Sequence, residues 1–183
     1  MIQKGEAGMR LLIGLDLGTT ALKIALFDEK GAMLGVSTQE YPLNTPKVNF
    51  VEVEAETYWN AFKNGLDDLK KTYAFQSDDE ISLAVSAQGE TLLCIDKNGR
   101  VLRPAIVWMD NRAEEEAAMF KEKFGDEMCY KVTGQVSFEP CWPASKILWL
   151  KRNEPGVFES TDKFLLIQRR IRGGKFSFAE RGL

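Results

Sequence analysis

The spacing of hydrophobic residues along this chain changes several times, and each change marks a different element. Leu11–Leu15 is a short apolar run that closes at Asp16, as a buried strand does. Beyond Leu17-Gly18-Thr19-Thr20, Leu22, Ile24 and Leu26 alternate with Lys23, Ala25 and Phe27, the two-residue period of a strand. Asp28-Glu29-Lys30-Gly31 has turn chemistry, with Gly31 able to take a positive φ, and residues 32–41 predict a third strand. Two hairpins in series therefore open the chain, after a loose leader over residues 1–10. Pro42–Pro46 reads as loop. From about Ala55 the period lengthens: Trp59, Phe62, Leu66, Leu69 and Tyr73 fall on one helical face.

Alternation returns at Ile81, Leu83 and Val85 and stops at Gln88-Gly89-Glu90. A hairpin follows, with residues 91–96 and 101–108 as its arms around Lys97-Asn98-Gly99. Arg112–Phe124 predicts a helix with Ala113, Ala117, Phe120 and Phe124 on one face. Glu114, Glu115 and Glu116 fall in its first turn, where the helix dipole favours acids, and read as a solvated face. Pro143 suits the first turn of a further helix reaching about Arg152, with Pro155-Gly156 ending it.

Composition narrows the function classes. Apolar residues are 44% and charged residues 28%, so the chain is expected to be globular, with a formal charge of −3. No apolar run reaches the ~18 residues of a membrane span, and the leader has no hydrophobic block of a secretory signal, so no membrane partner is expected. Histidine is absent, which excludes Ser-His-Asp and Cys-His catalytic groups and histidine metal ligands. Cys94, Cys129 and Cys141 are odd in number and form no C-x-x-C pair, which predicts free thiols in a reducing, cytoplasmic setting. Residues 169–183 form an atypical basic tail of net charge +4, but they hold no nucleic-acid motif, and no nucleic-acid partner is expected.

Asp16-Leu17-Gly18-Thr19-Thr20, between two strands, is the sharpest local signal. Asp16 at a strand end suits a hydrated Mg²⁺, Gly18 suits close approach to a phosphate, and Thr19, Thr20 and Lys23 can donate to its oxygens. A plain tight hairpin explains the same five residues. It is not a P-loop, since G-x-x-x-x-G-K-[ST] is missing. Two further clusters end strands: Gln88-Gly89-Glu90, and Trp108-Met109-Asp110-Asn111-Arg112. A polyol needs acceptors and amides for its hydroxyls and an aromatic wall for its C–H face; Gln88, Glu90, Trp108 and Asp110 supply those types, with Arg112 able to orient Asp110. Each also has a plainer role: Trp108 in the core, Asp110 as a helix cap, Glu90 in a solvated turn.

IGLDLGTTALKIALFDEKGAML resembles the first phosphate motif of the sugar-kinase, actin and heat-shock-chaperone ATPase superfamily. Together with SAQGETLLCIDKNGRVLRPAIVWMDNRA, Thr133-Gly134 and PASKILWLKRNEP, it resembles the FGGY carbohydrate kinases, xylulokinase-like members above all, over residues 11–168. The resemblance implies an α/β fold of the ribonuclease-H-like or actin-like ATPase type: a mixed sheet with antiparallel hairpins, flanked by helices, in a truncated N-terminal lobe. It implies ATP and Mg²⁺ as cofactors and phosphoryl transfer to a sugar, a pentulose such as xylulose or a related ketose or polyol. Asp16 would serve the metal, Gly18, Thr19, Thr20 and Lys23 the phosphate, and Gln88, Glu90, Trp108, Asp110 and Arg112 the sugar. Gly89 replaces the Arg of the Q-R-E-T motif of glycerol kinases, which points away from glycerol. The family's catalytic Asp base lies further downstream than Asp162, the last Asp here, so no catalytic residue is assigned and the chain alone is expected to be inactive. A face left open by a missing lobe would favour self-association or a companion chain. The alternatives are a non-catalytic sugar-binding module and an ATPase of the actin and chaperone superfamily.

Overall fold

A computed structural model describes residues 8–172 of the chain. It divides into two compact units, the first built from residues up to Tyr41 with Glu56–Ala87, the second from Pro42–Ala55 with Gln88–Arg169. Most of the basic tail lies outside the described residues.

In the first unit the predicted hairpins form. Strands β1 (Arg10–Leu17), β2 (Ala21–Asp28) and β3 (Met33–Glu40) pair antiparallel in sequence. β1 starts at Arg10, one residue before the predicted apolar run, and residues 1–7 lie outside the described residues. Strand β5 (Glu80–Ala87) pairs parallel with β1, giving the order β3-β2-β1-β5. The sheet is therefore mixed. Leu11, Ile13, Leu15, Leu22, Ile24 and Leu26 point to one face and are fully buried.

Helix α1 (Ala55–Thr72) covers that face. Its buried stripe runs through Ala55, Tyr58, Ala61, Phe62 and Leu69, with Trp59 only half-buried, so the helix is rotated slightly from the expected Trp59-centred face. Gly65 accounts for this: a Cβ there would lie 2.7 Å from Ile24 Cγ2, so the helix packs closest on the sheet's side chains where it has none of its own. Ser37 and Gln39 of β3 both donate to Asp68 of α1, at 2.8 and 2.7 Å. On the opposite face, Leu12, Phe27 and Met33 form one cross-strand row, with Leu12 and Met33 exposed.

The second unit is a smaller sheet of order β4-β7-β6-β8, made from β4 (Glu52–Val53), β6 (Leu92–Ile95), β7 (Ala105–Ile106) and β8 (Lys163–Leu166). The hairpin predicted around Asn98-Gly99 is present, with Gly99 at φ 80, but its second arm is reduced to a bridge at Val101 and the two residues of β7. β4 and β8, too short to show a period, were not expected. Helix α2 (Glu114–Thr133) runs past the predicted end at Phe124 but breaks its helical geometry at Gly125, φ 73. Helix α3 (Pro143–Asn153) starts at the predicted proline, and Pro155 opens a short helix, α4 (Pro155–Ser160), rather than only ending α3. The chain then turns through β8 into α5 (Ile167–Arg172). Leu92, Cys94, Ile106 and Leu150 form the core, with Ile147, Val157, Phe158 and Phe164 packed around them.

One acidic side chain departs from the solvated face expected of it. Glu116 is 1% exposed and ion-pairs with Arg152 of α3, which joins α2 to α3.

Candidate functional site

The first unit holds the hairpin residues. β1 ends at Leu17 and β2 begins at Ala21, and the turn closes when the Gly18 amide donates to the Ala21 carbonyl at 2.9 Å. A Cβ on Gly18 would sit 2.9 Å from that same carbonyl oxygen, so the turn itself requires glycine. Since that amide is committed to the turn, donors for an anion fall to the neighbouring groups. Tyr41 fastens the turn from the side: its amide donates to the Thr20 carbonyl at 2.9 Å and its hydroxyl to the Gly18 carbonyl at 2.7 Å. Burial, reinforced by Tyr58 and Asp16, pushes the Tyr41 phenol well above its usual range, so it remains a donor.

Asp16 and Lys23 are cross-strand partners, both on the outward face of the sheet and both exposed. Asp16 is therefore not a buried carboxylate, although the strand that it ends is buried on its other face. It is a solvent-facing acid opposite a base, beside the exposed Thr20 and the half-buried Thr19. One exposed carboxylate fits a cation that keeps most of its own waters. In the parallel register Asp16 faces Ser86 and Leu17 faces Ala87, so β1 and β5 end level with one another. Ligands of open α/β sheets gather beyond such carboxyl ends.

The second unit holds the other cluster. Gln88 follows β5 directly. Glu90 takes a left-handed backbone, φ 61, which is uncommon for a residue with a side chain. Thr91, fully buried, accepts from the Trp108 amide through its hydroxyl at 3.1 Å, which joins the two motifs. Trp108 is 41% exposed, so it is not the core tryptophan that its apolar neighbours suggested.

Asp110 and Arg112 depart from the expected sugar contact. Both side chains are 0% exposed. Asp110 accepts from the Val51 amide at 2.5 Å, the Arg112 amide at 3.0 Å, and Arg112 Nε and Nη2 at 2.9 and 2.8 Å. With four donors its two oxygens are occupied. It is not a helix cap either: Ala113 stands at the N-cap of α2, without a side-chain bond. Arg112 also donates to Glu52 Oε1 at 2.7 Å, and Arg103 pairs with the same carboxylate and, at 2.9 Å, with Glu154. The Arg112 guanidinium lies 4.0 Å from the Phe50 ring centre and 4.9 Å from that of Trp149. Its paired carboxylates hold its pKa above the usual value despite burial. These ions build the frame behind Trp108.

Sequence reasoning missed Thr91, Glu52, Arg103 and Lys146. Lys146 had a readable signal: it sits four residues before Leu150, on the apolar stripe of α3, and is fully buried.

With this geometry described, the comparisons with known proteins place the chain. Residues 11–173 match the N-terminal domain of the FGGY family of carbohydrate kinases, and the chain belongs to that family. Among curated relatives, the xylulose kinase of Escherichia coli is 32% identical over 162 residues, covering 88% of this chain and 32% of that protein. The glycerol kinase of Thermococcus kodakarensis is 31% identical, covering 84% of this chain and 31% of that protein. Among solved structures, a xyloylose kinase from Brucella ovis superposes with a TM-score of 0.82 at 29% identity, over 89% of this chain and 34% of that one. The chain thus spans about a third of the length of the relatives it matches. The fold is the actin-like ATPase fold of these sugar kinases, as its motifs implied. Among the described residues no helix is long and apolar enough to cross a membrane.

Proposed function

We propose that this chain carries the acceptor-sugar side and the first phosphate hairpin of a kinase that moves the terminal phosphoryl group of ATP to a primary hydroxyl of a pentulose such as xylulose. The observation that carries this reading is the level ending of parallel β1 and β5, which puts the Gly18 turn and Ala87 at the same end of one sheet. Bound MgATP would supply the transferable phosphoryl group and the charge that offsets its oxygens. In this reading the hydroxyls of Thr19 and Thr20 and the ammonium of Lys23 would hold phosphate oxygens, Gly18 shapes the turn, and Asp16 would hold the hydrated Mg²⁺. Gln88 and Glu90 bond sugar hydroxyls, and the exposed face of Trp108 covers the C–H side. Asp110 and Arg112, being enclosed, position the Trp108 loop rather than touch the sugar.

Residues 11–168 form the working domain of this proposal. Its setting is the cytoplasm, in keeping with free thiols at Cys94, Cys129 and Cys141. Gly89 in place of the Arg of the glycerol-kinase motif favours a pentulose over glycerol. The exposed row at Leu12 and Met33 makes self-association, or a companion chain, the expected behaviour at high concentration, which light scattering reads directly.

Titration calorimetry of the chain with xylulose, glycerol and gluconate tests the proposal. Xylulose should bind, and Trp108→Ala should weaken it by about tenfold or more. A coupled assay with MgATP should show no sugar-dependent turnover by these residues alone. Absence of binding by all three sugars would overturn the site; clear turnover would overturn the incomplete-enzyme reading.

A further inference from the structure

Lys146 is a cation with no exposed surface. It projects from α3 and donates to two main-chain carbonyls, that of Glu90 at 2.9 Å and that of Val107 at 3.0 Å. Neither acceptor is an ordinary core group. Glu90 is the residue held at φ 61, a left-handed conformation that a residue with a side chain keeps only where its surroundings impose it. Val107 immediately precedes Trp108, and its carbonyl also accepts from the Asp110 amide at 3.0 Å, closing the turn that presents the indole. One ammonium therefore fastens the strained Glu90 turn to the Trp108 turn.

A helix needs no lysine merely to fill this place. Methionine would occupy the same stripe beside Leu150 without the expense of burying a charge. What only an ammonium supplies is a set of donors radiating from one point, able to meet carbonyls from two chain segments at once.

We propose that Lys146 is a positioning residue of the sugar pocket: by bridging the carbonyls of Glu90 and Val107 it keeps the Glu90 and Trp108 side chains in the mutual arrangement that a hydroxylated substrate meets. The inference rests on the reading that this cluster takes a sugar, and it adds the group that holds the cluster in shape. The charged and titratable groups facing Lys146 are Glu90 on the turn after β5, Asp110 and Arg112 on the turn before α2, and Cys141 ahead of α3. Burial outweighs its acidic neighbours and lowers the lysine to about 8. The bridge is thus mostly charged at neutral pH, and in mildly alkaline solution it becomes a neutral amine, with two donors in place of three and weaker bonds to the carbonyls.

The test uses the whole chain, with xylulose as the probe, in wild type and Lys146→Met. Between about pH 7 and about pH 9, across the lowered pKa of about 8, wild-type affinity should fall by about tenfold. Lys146→Met should bind about tenfold more weakly at pH 7, with that decline abolished. In the absence of sugar, hydrogen exchange at the Thr91 and Trp108 amides should rise in the variant, while the β1–β2 hairpin stays unchanged. If wild type binds xylulose and Lys146→Met binds it equally, with the same pH profile, the Lys146 role is overturned and the sugar site stands. If wild type binds no sugar, the site reading fails and this role falls with it. Should the variant not fold, the wild-type profile decides: affinity constant through pH 8 in a folded protein overturns the proposal.

Discussion

The two units are stabilised by different means. The first rests on aliphatic side chains on one face of a four-stranded sheet, with α1 laid across them, and among its described residues no charged side chain is buried. The second encloses Asp110, Arg112, Glu116 and Lys146 and pairs each of them, several with partners far away in the sequence. An apolar face has no directional partner to lose, but its close packing registers changes of volume. A buried ion requires a particular partner at a particular distance, and removing the partner leaves the desolvation cost uncompensated. The second unit should therefore be more sensitive to single-atom changes of charge, and the first to changes of volume.

The sharpest way to break that contrast is Arg112→Met. It leaves Asp110 and Glu52 enclosed without their shared cation, and chemical denaturation should show a loss of about 3–5 kcal/mol. Adding Asp110→Asn should restore part of it. A loss below about 1 kcal/mol would mean that the ion frame is no more demanding than a surface pair.

Next in size is the pH response of Lys146. Its folded pKa of about 8 lies below its ordinary 10.5, so over that window the unfolded chain binds more protons and stability rises with pH. The penalty is complete below pH 8 and relieved by pH 10.5, a swing on the order of 3 kcal/mol, absent from Lys146→Met. This gain in stability runs opposite to the expected loss of sugar affinity, so the two measurements separate a packing role from a positioning one.

Volume is the test in the first unit. Gly65→Ala places a methyl 2.7 Å from Ile24 Cγ2, and the strain should exceed the better helix propensity of alanine, for a net loss of about 1–3 kcal/mol. An equal or higher melting temperature would show that α1 can move away from the sheet at no cost. The smallest effect is expected at Gly31→Ala, where φ is +81 and nothing lies within 4 Å: about 1 kcal/mol, from backbone geometry alone.

What could be read from the chain follows the same division. The strands of the first unit and the alternation at Ile81, Leu83 and Val85 appeared in the order of residues because a two-residue period is a local property. Pro143 and Gly99 likewise acted where they stand, at a helix start and a hairpin turn. The motifs at Gly18, Gln88 and Trp108 were legible for the same reason, and they sufficed to identify the family.

Burial of charge was not legible. Whether Glu116 faces water or Arg152, and whether Asp110 meets a ligand or Arg112 and Val51, depends on segments that approach only after folding. Glu52 lies 60 residues from Arg112, and Glu90 56 from Lys146. The orientation of α1 was a matter of degree: its stripe was visible, but Gly65 against Ile24 chose Tyr58 over Trp59 for the core. The sequence by itself determined the longer strands and helix starts, several turns and the family, because propensity and period act between neighbours. Only the tertiary structure decided which ions lie inside and which side chains the pocket presents, because the free energy of a buried charge is set by the partner that meets it.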